Sequence, residues 1–390
     1  MNVKPTPTAL YSAAWVVTAV FMLSNSPTPL YVYWQQQLGF SSGTLTVIFA
    51  LYIAGLLGTL LVAGQLSDRY GRKRVLIPGL LAALGACLLF AQASSVTMLA
   101  IGRLLSGIAV GVTISAGMAA VVDMAHVEHK RRAALLASVA MVLGAGLGPL
   151  LAGGLSQVLA QPILPIFGIE TLILLSALSA VWWLPLRRPI ASVPGRLRLP
   201  TVPQNNRRQV GCGIAAFGPG ITATSFVLAL GPSLLSNLLD MRSPLLAGGM
   251  ACAMFLIATG VQFVVQRWTI RRIFAASATA TVLSMLTLVL AIHASLVPAL
   301  IASALLAGAG QGLGQLGGLT LIGLHVPDSH RAQANAVLNI GGYIPAGVLP
   351  VATGYLIDLM GLSSGATLFA MVLCLTAVAG GVWTTSQTST

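Results

Sequence analysis

The chain has 390 residues, of which 56% are hydrophobic and 7% charged, and a mean hydropathy of +0.91. Soluble domains carry about a quarter charged residues, so the composition excludes a soluble protein and implies an integral membrane protein. The net charge of +13 is spread over short loops, which assigns it to topology and to anionic headgroups and excludes nucleic acid as a partner.

A hydrocarbon layer of about 30 Å takes roughly 20 apolar residues per helical crossing. Such runs follow one another at 10–33, 44–66, 75–95, 97–122, 133–157, 163–186, 210–236, 244–266, 273–293, 297–323, 332–357 and 365–384. They lack the polar–apolar alternation of barrel strands, so the expected fold is an all-α membrane protein with twelve transmembrane helices. The first run, with only Lys4 ahead of it, has neither the short core nor the small-residue cleavage site of a secretory signal and is expected to be retained as span 1. With the amino terminus in the cytoplasm, 18 of the 20 Lys and Arg fall in inside segments; the exceptions are Arg103, within span 4, and Arg242, in an outside loop. Basic residues accumulate inside, which places both termini in the cytoplasm and the protein, multi-pass, in the cell (inner) membrane.

In chain order, span 1 contains SNSPTPLYVYW, residues 24–34. Pro27 and Pro29 free backbone carbonyls and Asn25 adds an amide, which predicts a bent helix lining a cavity. Between spans 2 and 3 lies GQLSDRYGRKRVL, residues 64–76, which holds five of the 27 charged residues. Span 4 contains LAIGRLLSG, residues 99–107, and span 6 contains Glu170. Arg103 and Glu170 are the clear intramembrane charges; each costs at least about 2.5–3.5 kcal/mol on insertion scales and is a functional candidate by default. Their expected relation is a pair, direct or through water, which serves either proton coupling or static bracing of spans 4 and 6. Span 5 contains GAGLGPLLAGG, residues 144–154. The segment 187–209 is rich in Pro, Arg and Asn and reads as a basic linker on the inner face.

That linker divides the chain into a six-helix bundle over 1–186 and another over 210–390. HVEHKRRA (126–133) and HVPDSHRA (325–332) match at a separation of 199, which also pairs Arg72 with Arg271, Lys73 with Arg272, Gly111 with Gly310 and Gly148 with Gly347. An even number of crossings makes this a parallel repeat, with a site expected between the halves near the midplane. In the second half Thr222, Ser225, Gln311, Gln315, Asn335, Asn339 and Tyr343 are candidate cavity residues; Gln311 and Gln315, like Asn335 and Asn339, share a helix face and serve either interhelical bonding or ligand contact. The glycines of span 10, Gly308 to Gly318, predict a pliable helix. Cys87, Cys212, Cys252 and Cys374 lie within spans without ligand spacing and read as packing residues, with no metal site.

The loop after span 2 resembles the signature of the major facilitator superfamily, G-x-x-x-D-(R)-x-G-R-(R/K), filled by Gly64, Asp68, Arg69, Gly71, Arg72 and Lys73. The resemblance implies a conformational latch, with Asp68 against a helix dipole or basic loops, and with Asp123 and Arg131 or Arg132 as the matching relay positions. The second half departs from it, with Arg267 where the aspartate is called for. LAIGRLLSG resembles the family's span-4 motif with Ser106 for its glutamine, which implies a coupling role for Arg103. Gly144, Gly148, Pro149, Gly153 and Gly154 resemble its span-5 antiporter motif with one extra residue, implying helix packing between halves and favouring export. The family's drug–proton antiporters often carry a carboxylate in span 1; residues 24–34 have none. The expected function is therefore proton-coupled efflux of small organic molecules by a monomer, with no cofactor beyond the proton gradient. The scarcity of cavity acids favours neutral or anionic compounds over cationic ones. An uptake symporter or facilitator of the same fold is the alternative, and a membrane-embedded enzyme a distant one.

Overall fold

The computed structural model describes residues 7–126, 129–186 and 200–387. Most of the linker, 187–199, lies outside the described residues. Among them no strand occurs, and twelve helical segments are long and apolar enough to cross a membrane, in the order and near the positions expected from hydropathy. The helices are α1 (Pro7–Asn25), α2 (Tyr31–Leu38), α3 (Ser42–Tyr70), α4 (Arg72–Ala91), α5 (Val96–Val112), α6 (Met118–Asp123), α7 (Lys130–Val158) and α8 (Ile163–Trp183), followed by α9 (Arg207–Ser233), α10 (Pro244–Val264), α11 (Ile270–Ala294), α12 (Val297–His325), α13 (Asp328–Met360) and α14 (Leu362–Gln387). Span 1 comprises α1, a 3-10 turn at Thr28–Leu30 and α2; its break falls at Ser26 and Pro27, where the ring removes a backbone donor. Span 4 comprises α5 and α6 joined by a π-helical turn, Thr113–Gly117.

The chain packs as two units, residues 1–30 with 51–199 and residues 31–50 with 200–390. The division at 187–209 assigned 31–50 to the first half; by packing they belong to the second. The reason is visible at the start of α3: Asp358, near the end of α13, accepts hydrogen bonds from the Ser42 and Gly43 backbone N–H groups, both at 2.9 Å. These are orphan donors of a helix N-terminus, where a carboxylate is stabilised by the dipole.

Each unit is built on helices whose backbones nearly touch. In the first, a Cβ at Gly107 would collide with the Tyr52 carbonyl of α3, and one at Gly144 or Gly148 with the Thr18 or Met22 carbonyl of α1. In the second, Gly308 and Gly312 bring α12 against the Met254 and Ala258 carbonyls of α10, while Gly314 meets α9 and Gly310 meets α11. Small residues let helices pack this closely where no hydrophobic effect drives them together. Two expectations change here. The glycines of span 10 serve as seats for three neighbouring helices, a packing role that the expectation of a pliable helix did not include. The repeat also shifts register: Gly111 faces Leu56 and Thr59 of α3 as Gly312 faces α10, so its packing counterpart is Gly312, not Gly310. In that register Leu99–Gly107 aligns with Leu300–Gly308, and Arg103 with Ala304.

Candidate functional site

The break in span 1 gathers the intramembrane charges. Helix α1 ends at Asn25, leaving its last carbonyls without helical partners. Arg103, fully buried in α5, donates from Nη1 to the Ser24 carbonyl oxygen at 2.6 Å, and its guanidinium lies 4.9 Å from the centroid of the Tyr52 ring. A cation at the negative end of a helix and over an aromatic face is stabilised by both. Two residues on, the Ser26 hydroxyl lies 2.7 Å from Glu170 Oε1 and 2.8 Å from the Met22 carbonyl oxygen. Glu170 is fully buried in α8, and its Oε2 has no hydrogen-bond partner. Asn25, also buried, donates from Nδ2 to the Ser24 hydroxyl at 3.0 Å.

Among the described residues, then, Arg103 and Glu170 form no direct ion pair. Both instead hold the same break in span 1, Arg103 through the Ser24 carbonyl and Glu170 through the Ser26 hydroxyl. Ser106, in place of the family glutamine, bonds the Arg103 carbonyl at 2.8 Å.

The charged loop centres on Arg72 rather than Asp68. Gly71, at φ 94°, turns the chain between α3 and α4, a conformation that favours glycine. Arg72 then donates to Asp68 at 2.8 Å, to the Ser67 hydroxyl at 2.8 Å and to Asp123, at the end of α6, at 3.2 Å. Asp68 thus pairs within its own loop, not with a helix N-terminus. Asp123 pairs with Arg72, while Arg131 and Arg132 are exposed and enter no ion pair among the described residues. Lys73 bonds the Trp182 carbonyl and lies over that indole, and Arg69 lies over Tyr70. A Cβ at Gly64 would meet nothing, so no close approach requires a glycine there. The span-5 motif serves close approach to α1 within the first unit: Gly144, Gly148, Pro149 and Gly153 are buried and Gly154 partly so.

In the second unit Thr222 is satisfied by the Gly218 carbonyl at 2.7 Å, and Ser225 is buried. Asn339 bonds along its own helix to the Asn335 carbonyl at 2.9 Å rather than across to another helix. Gln311 Oε1 and Asn335 Oδ1 are buried acceptors with no partner, Gln315 is half-buried, and Tyr343 packs edge-on against Phe217 at 6.1 Å between centroids. Sequence reasoning missed Ser24, Ser26, Ser67 and Tyr52. A serine before a helix-breaking proline was a signal for Ser26; nothing marked Tyr52, which meets Arg103 only through packing.

The chain is 37% identical over 101 residues to "Multidrug resistance protein MdtL" of Klebsiella pneumoniae, covering 26% of this chain and 25% of that protein. It is 35% identical over 103 residues to the protein of the same name from Shewanella oneidensis, covering 26% of each. The chain thus spans about a quarter of the length of these relatives. Among solved structures it is similar to a POT family transporter in complex with 5-aminolevulinic acid, with TM-score 0.80, 12% identity and coverage of 98% of this chain and 96% of that one. It is also similar to a mutant of the nucleoside transporter NupG, with TM-score 0.72, 12% identity and coverage of 96% and 99%. At such identities these two likenesses concern the fold alone. The family model described as Major Facilitator Superfamily matches residues 13–273 and 245–389, and with twelve membrane-length helices and the Asp68–Lys73 loop in its expected place, the chain belongs to the major facilitator superfamily.

Proposed function

We propose that the chain is a secondary active transporter working by alternating access, and that it exports small organic molecules in exchange for protons. The observation that carries this reading is the fully buried Glu170, bound through Ser26 to the break in span 1 that also holds Arg103. A buried carboxylate with one open oxygen is a costly feature that packing alone does not require. The Ser26 hydroxyl has a single hydrogen for two acceptors, Glu170 and the Met22 carbonyl. With Glu170 ionised, Ser26 donates to the carboxylate. With Glu170 protonated, the carboxyl donates to Ser26, whose hydrogen turns to Met22. A proton thereby changes the bonding of the same break that grips the Arg103 guanidinium.

Export is favoured by the relatives named for multidrug resistance and by the Gly144–Gly154 motif. Gln311 and Asn335 each carry a buried acceptor without a partner, and in this reading a ligand bonds to them once the cavity opens. The Arg72 hub with Asp68 and Asp123 is the latch in this scheme, the termini face the cytoplasm, and the transporter acts as a monomer with protons and substrate as its only partners beyond lipid. The membrane-enzyme alternative draws no support from the family. Everted vesicles acidified inside should accumulate an export substrate from a chemically diverse panel; uptake into whole cells, absent in the vesicles, would favour the import reading instead.

A further inference from the structure

The two loops that follow the second helix of each unit handle positive charge differently. In the first unit Arg72 is neutralised by Asp68 and Asp123. Its sequence counterpart, Arg271, has Arg267 in place of the aspartate, and the last turn of α12 offers His325 and no acid. Among the described residues neither Arg271 nor Arg208 enters an ion pair. Beside these arginines stands a cavity of about 400 Å³, with Arg208, Gln209, Thr269, Arg271, His325 and Gln387 on its walls and, among the described residues, no acidic side chain. Helices α9 and α11 begin at this cavity, and their N-termini add partial positive charge. Gln387, partly buried, contributes a carboxamide whose oxygen is buried and unpartnered. The floor is apolar: Cys212 and Leu321 belong to a packed cluster with Phe274, against which Ile270 lies.

We infer that this cavity binds a phosphate-bearing anion from outside the chain, which supplies to the second unit the negative charge that the first unit carries as Asp68 and Asp123. Basic walls on a packed apolar floor suit a phosphate group, whether that of a phospholipid headgroup or of a soluble phosphate monoester. The inference is independent of substrate and of transport direction.

The full-length protein, purified in a non-ionic detergent, would be titrated with phosphatidylglycerol and, in a parallel arm, with glycerol 3-phosphate, and bound ligand counted by native mass spectrometry. Arg208→Gln and Arg271→Gln should each weaken binding about fivefold, while Arg267→Gln, at an exposed arginine outside the cavity, should leave it unchanged. Thr269→Asp keeps the side-chain cap of α11, which Thr269 now forms with the Arg272 N–H, and places a carboxylate in the cavity; it should abolish binding without unfolding the protein. Binding of the lipid alone identifies a headgroup site, and binding of both ligands identifies a site for phosphate in either form. Binding that survives Thr269→Asp together with both glutamine variants, or that falls equally in Arg267→Gln, would overturn the inference, and a thermal unfolding midpoint for each variant separates loss of site from loss of fold.

Discussion

Helix α5 crosses α3 at Gly107 over the Tyr52 carbonyl, and α12 crosses α10 at Gly308 over the Met254 carbonyl. Four residues before these matched crossings, one chain position is Arg103 and the other Ala304, both fully buried. The two units thus share a packing solution and differ in charge. The buried ions, the helix break that holds them and the acid-paired arginine all lie in the first unit; the second offers amides, hydroxyls and a basic cavity. Packing within a repeat is set by where backbones must touch, whereas charge is set by what each half must do, so the first survives duplication and the second diverges.

That contrast can be broken at its strongest point by filling the crossings. Gly107→Val and Gly308→Val should each reduce the yield of monodisperse protein at least tenfold, since side-chain atoms would overlap backbone with no room to repack. A large loss in one unit only would show that the crossings are not equivalent. Ala304→Arg tests the charge difference: an arginine there, without a Ser24 carbonyl or a Tyr52 face, should destabilise the protein by about 3 kcal/mol in thermal or denaturant unfolding. A neutral result would mean that the second unit already holds an arginine site. The smallest effect is expected at Arg72→Gln. Its ion pairs are substantially exposed, Asp68 by 73% and Asp123 by 50%, and such pairs contribute about 0–1 kcal/mol each. Stability should fall by no more than about 2 kcal/mol in the same assay, and a larger drop would assign the hub a structural role beyond these ion pairs.

Much of this fold was legible in hydropathy, because a bilayer demands long apolar helices and twelve such runs stand in the sequence. Arg103 and Glu170 were legible as sites for the same reason: charge in hydrocarbon is rare enough to stand out. Their partners were not. The Ser24 carbonyl belongs to the backbone and has no letter, and Tyr52 is one span aromatic among several, singled out only by the guanidinium of Arg103 over its ring. The Arg72 hub was hidden by the family signature, which draws the eye to Asp68. The shift from Gly310 to Gly312 was invisible until the helix each glycine touches was known, since a glycine-rich span fits several registers.

The most direct measurement is pH-gradient-driven transport by Glu170→Gln in proteoliposomes, with substrate exchange in the absence of a gradient as the companion readout. The amide keeps an acceptor for Ser26 and cannot take up or release the proton, so the gradient should no longer drive net movement while gradient-free exchange continues. Net transport that still follows the pH gradient at the wild-type rate would contradict the assignment of coupling to this carboxylate and to the broken helix it holds.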